Sequence, residues 1–178
     1  MIRLRFAIPG FAAMAALPAA ATTPPATLAR CLPAPQAEAV VMAVLPGIVE
    51  GIARRCAPRL PAGAVLGSGA RGFAGRLRPE AQGAWPDAKA AIARYMGQNM
   101  PSFLSEDTLR TVAEQAAGAE AARRFPDAEC ARANRLVDPL TPLPARNLAR
   151  FALAIAEDRP ELSMLPVRPC PAESRIAP

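Results

Sequence analysis

The sequence predicts an all-α protein, an irregular bundle of about five helices stapled by two disulfides. Three observations carry this. Apolar residues recur at three- and four-residue steps in several separate stretches, and no stretch alternates at period two. The chain is 52% hydrophobic but only 4% aromatic, with alanine dominating, a composition that suits closely packed helices better than strands. Four cysteines lie downstream of a segment with the three-part layout of an export signal.

That signal occupies residues 1–21. Met1-Ile2-Arg3-Leu4-Arg5 is a basic start, Phe6 to Leu17 is uncharged and apolar, and Ala19-Ala20-Ala21 offers small residues for cleavage after Ala21. Its apolar part is too short for the ~20 residues of a spanning helix and is interrupted by Pro9-Gly10. Leu28-Ala29-Arg30-Cys31 departs from a lipoprotein box, because Arg30 stands where a small residue is needed. The expected mature chain is therefore residues 22–178, a single helical domain with an irregular proline-rich tail over 159–178, exported to the periplasm or the exterior and not spanning a membrane. With Arg3 and Arg5 removed, the formal charge of +6 falls to +4.

In an exported chain an even number of cysteines favours disulfides. No Cys-x-x-Cys spacing and no histidine accompany Cys31, Cys56, Cys130 and Cys170, so neither a metal site nor another cofactor is expected. A helix over residues 36–56 would hold Cys31 and Cys56 ~30 Å apart at 1.5 Å per residue, whereas a disulfide keeps its Cα atoms within ~7 Å. Of the two remaining pairings, Cys56–Cys130 with Cys31–Cys170 is preferred, since it joins one helix end to a later helix start and ties both termini together.

The elements follow in order. Residues 22–35 read as an extended lead-in. The first helix carries Val40, Val41, Val44, Leu45, Ile48 and Ile52 on an amphipathic stripe, with a kink expected at Pro46. A loop covers residues 57–72. A second helical region over about 70–98 presents Phe73, Leu77, Trp85, Ile92, Tyr95 and Met96, with Pro79 and Pro86 expected to bend or break it. The third helix is expected from Pro101-Ser102 to about Arg124, with Leu109, Val112, Ala113, Ala116 and Ala117 inward. Asp127 reads as the N-cap of a short fourth helix carrying Cys130, Ala133, Leu136 and Val137. After Pro139, Pro142 and Pro144, a last helix spans about 145–158 with Leu148, Phe151, Ala152 and Ile155 on its face.

Motifs for chemistry are weak. Gly67-Ser68-Gly69-Ala70-Arg71-Gly72 matches Gly-x-Gly-x-x-Gly, but no strand or βαβ pattern frames it, and it reads as a surface loop. Without histidine, Ser-His-Asp and Cys-His catalysis are excluded. Glu106-Asp107 and Glu157-Asp158 are adjacent pairs, whose members point in different directions on a helix. No catalytic constellation emerges, and the sequence favours a non-enzymatic role through binding or structure.

The remaining feature is arginine. Lys89 is the only lysine, and Arg54, Arg55, Arg123, Arg124, Arg132 and Arg135 flank Cys56 and Cys130. Their bridge would gather these six into a basic patch able to meet an anionic envelope component or an acidic protein. Nucleic acid is not expected, given export and the lack of interleaved aromatics. The alternative is a carrier holding a small apolar ligand between helices, which requires a cavity. A less favoured one is an enzyme whose carboxylates are assembled by the fold.

Overall fold

A computed structural model describes residues 31–96, 103–158, 167 and 169–170. The segment read as an export signal lies outside the described residues, as does most of the tail. Among the described residues five α-helices occur, in the order α1 (Ala34–Cys56), α2 (Ala70–Tyr95), α3 (Glu106–Arg124), α4 (Cys130–Val137) and α5 (Ala145–Asp158). Short 3-10 turns at Ala57–Arg59, Asp127–Glu129 and Asp138–Leu140 link them. Both expected disulfides are present, Cys31–Cys170 with Cα atoms 4.8 Å apart and Cys56–Cys130 with Cα atoms 5.3 Å apart.

The architecture is a hub with α1 at its centre. Leu45, Val49 and Ala53 pack on Ala70, Phe73 and Leu77 of α2, while residues Ala37 to Ala43 meet Trp85, Ala88 and Ala91 further along. That order makes α2 antiparallel to α1. By the same reading α5 is antiparallel, with Leu148 beside Leu45 and Leu153 beside the start of α1. Helix α3 runs parallel to α1, Val44 and Ile48 packing on Ala117 and Ala121. Covered from three directions, α1 is buried almost all round, including Ala39, Met42, Ala43 and Val49. The expected single apolar stripe thus becomes a fully apolar core helix. Residues 34–59 are long and apolar enough to cross a membrane by length and composition, with a mean hydropathy of 1.4, but 78% of that apolar window is buried inside the protein.

Several expectations need correction. Helix α2 is one continuous helix of 26 residues through Pro79 and Pro86. Both prolines are exposed, as are Gly75 and Gln82, whose carbonyls lose their bonds to the missing N–H groups. Water can satisfy those carbonyls, so the helix continues. Helix α3 begins at Glu106, where the Ser105 hydroxyl accepts from the Thr108 N–H at 3.2 Å, an N-cap four residues beyond the expected start. Its inner face is Ala117, Gly118 and Ala121; Val112 and Ala116 are exposed, because the close approach of α1 selects the smallest side chains rather than the most apolar. Asp127 caps nothing, being held instead by the guanidinium groups of Arg55 and Arg59. Tyr95, Met96, Leu136, Phe151 and Ile155 are exposed although each falls on an apolar stripe.

Candidate functional site

Of the exposed large apolar residues, Tyr95, Met96, Phe103, Val112 and Leu143 lie outside the cavity on which three others converge. Leu136 of α4 and Phe151 and Ile155 of α5 border one groove with a cavity volume of about 290 Å³. Leu45, Ile48, Val49 and Ile52 of α1 line it from the hub side, and Leu66, Phe73 and Phe125 add to the lining. Every residue lining it is apolar. The alanines Ala133, Ala152 and Ala156 leave the space that larger side chains would fill.

The walls are fixed from outside the groove. Helix α4 is eight residues long with Cys130 as its only buried residue, so the Cys56–Cys130 bridge is its main anchor. A second tie comes from the Leu66 N–H, which donates to Asn134 Oδ1 at 2.9 Å. Helix α5 is capped in trans: the Glu80 carboxylate of α2 accepts from the Ala145 N–H at 3.0 Å and the Arg146 N–H at 3.4 Å. Glu38 of α1 then pairs with Arg146 and Arg150 at 3.4 and 2.9 Å. Glu38 also holds the Arg150 guanidinium above its ordinary pKa through their hydrogen bond.

The six flanking arginines have separate fates. Arg55 is paired with Asp127, which Arg59 also holds. Arg123 and Arg124 share Glu120, and Arg132 pairs with Glu129 at 3.6 Å. Glu120 lies below the ordinary carboxylate range, chiefly through its hydrogen bond from Arg123. Arg54 and Arg135 have no ion pair with a described residue. Acids thus reach four of the six: Arg123, Arg124 and Arg132 by three- and four-residue spacing readable along the chain, and Arg55 by the distant Asp127, which spacing does not reveal.

Gly67-Ser68-Gly69 forms the tight turn that opens α2, with the Ala64 carbonyl accepting from the Gly67 and Gly69 N–H groups at 2.9 and 3.0 Å. A Cβ on Gly69 would stand 3.1 Å from the Ala64 carbonyl oxygen, so the glycine serves a close backbone approach. Among the carboxylate pairs, Glu106 binds Lys89 and Asp107 binds Arg110, each at 3.0 Å. Glu157 and Asp158 end α5. Among the described residues no three metal-ligating side chains converge.

The groove therefore offers shape and apolar contact, without a polar group for bond chemistry. No protein-family model matches the chain, and no curated protein or solved structure matches it.

Proposed function

We propose that this is an exported, non-enzymatic binding protein of the periplasm or exterior that carries a small apolar ligand in the groove between α1, α4 and α5. The observation that carries the reading is the convergence of exposed Leu136, Phe151 and Ile155 on a cavity of about 290 Å³ with a wholly apolar lining. Exposed apolar residues that share one concave surface mark a binding site, whereas single ones such as Phe103 and Val112 are ordinary surface. The volume stands near the lower end of small-molecule sites, ~300–1,000 Å³, which suits a short hydrocarbon chain or a single ring system. The two disulfides are compatible with an oxidising compartment, and the three-part segment at residues 1–21 supplies the reason to expect export.

Two experiments test it. Titration with the neutral fluorophore N-phenyl-1-naphthylamine should give saturable binding, displaced by decanol and weakened at least tenfold by Ala152→Leu, which fills the groove. Unsaturable binding, or binding indifferent to that substitution in a variant with unchanged circular dichroism, would remove the carrier reading. The intact mass of protein recovered from outside the cytoplasm should begin at Thr22 and lack four hydrogens. An uncleaved, cytoplasmic chain would remove export.

A further inference from the structure

Across α1 from the groove lies a second cavity, of about 580 Å³, with the opposite chemistry. It is lined by Arg54 and Glu50 of α1, by Ser68 of the turn before α2, and by Arg71 and Arg78 of α2. Arg78 is committed to Glu50 at 2.7 Å. The guanidinium groups of Arg54 and Arg71 make no ion pair or hydrogen bond with any described residue, so both face a space whose lining acid, Glu50, is taken by Arg78. Ser68 Oγ accepts from the Gly63 N–H at 3.1 Å, which leaves its own proton available to donate. The other acid nearby, Glu114, lines a smaller adjoining cavity with Arg54, Arg78 and Glu50.

We propose that this cavity binds a phosphate group, either inorganic phosphate or a phosphate ester, held between Arg54 and Arg71 with the Ser68 hydroxyl as a third donor. Guanidinium groups match phosphate oxygens as planar, two-pronged donors. The uncompensated charge of Arg54 and Arg71 complements a dianion, and Arg78 is held back by Glu50. The site is independent of the apolar groove, so either can fail without the other.

The test is calorimetric titration of the mature chain with inorganic phosphate and with glycerol 3-phosphate at matched low ionic strength, beside sedimentation with phosphatidylglycerol and phosphatidylcholine vesicles. Saturable binding of a soluble phosphate, lost at least tenfold in Arg54→Gln and in Arg71→Gln and unchanged in Arg135→Gln, is the expected result. Binding confined to phosphatidylglycerol vesicles with the same variant pattern keeps the site and identifies a lipid headgroup as the source. Glu50→Gln should tighten binding severalfold by releasing Arg78, a gain that misfolding cannot mimic. Absence of binding to all four probes, or binding that Arg54→Gln and Arg71→Gln leave intact, overturns the proposal.

Discussion

Gly51 of α1 and Gly118 of α3 bring two helix backbones into direct contact, for a Cβ on Gly51 would overlap the Gly118 carbonyl group. One turn earlier, Gly47 meets the backbone of Glu114 in the same way. Small residues at four-residue spacing allow such an approach, and the fully buried residues of α3 are the small Ala117, Gly118 and Ala121. Gly51→Ala and Gly118→Ala should therefore destabilise the protein by ~1–3 kcal/mol or more through overpacking, against the gain alanine normally gives in a helix. Gly72→Ala and Gly83→Ala, where a Cβ meets open space, should show that gain. Urea midpoints of the four variants would separate the two classes.

Glu114 makes stability depend on pH in an unusual direction. Burial raises its carboxyl above the ordinary range, Arg78 and Arg110 partly offset this, and Glu50 adds to it. The folded state thus keeps this proton to higher pH than the unfolded chain, and ionisation opposes folding. Its contribution falls as pH rises from the unfolded value through the raised folded one. Glu114→Gln should accordingly stabilise the protein at neutral pH, with the gain vanishing below about pH 4. Thermal melts of both proteins across that range would check the sign; a gain that persists at low pH would contradict it.

The two disulfides should separate by function as well as by stability. On a chain-entropy estimate, bridges closing loops of this size contribute about 4–5 kcal/mol each. Losing Cys56–Cys130 frees α4, whose only buried residue is Cys130, and with it one wall of the groove. Cys31–Cys170 instead fastens the strand-like contact between Leu32 and Pro169 at the start of α1. Cys56→Ala/Cys130→Ala should abolish binding of the neutral fluorophore at temperatures where the protein remains helical. Cys31→Ala/Cys170→Ala should lower the melting temperature and leave the affinity unchanged.

Glu80 supplies the N-terminal cap that α5 lacks in its own sequence. Glu80→Ala should cost about 0.5–2 kcal/mol, the range for losing a cap, and loosen the α5 wall. Faster amide exchange over the first turn of α5, with α3 unaffected, would mark the loss as local.

Much of this fold was legible along the chain. The period of the apolar residues determined five helices, the last with the bounds Ala145–Asp158. The geometric limit on a disulfide, set against helix length, removed one of three pairings, and the joining of helix ends and termini favoured the one that is present. The Ser105 cap and the Gly47–Gly51 spacing were also legible signals, but they compete with many similar short patterns that mean nothing.

Partnership belonged to the tertiary structure. A stripe of apolar residues states that a face wants cover, not whether cover arrives. The shortness of α4 and the alanines beside it leave Phe151 and Ile155 half-exposed over a groove, while α1 receives cover on every side. Charges behave likewise. Asp127 neutralises Arg55 and Arg59, which look free in sequence, whereas Arg54 and Arg71, seventeen positions apart, stand unpaired around one cavity. Local backbone and side-chain preferences act over a few residues and so are written in order along the chain. Burial and ion pairing depend on distances through space, which only the packing of α2, α3 and α5 around α1 decides.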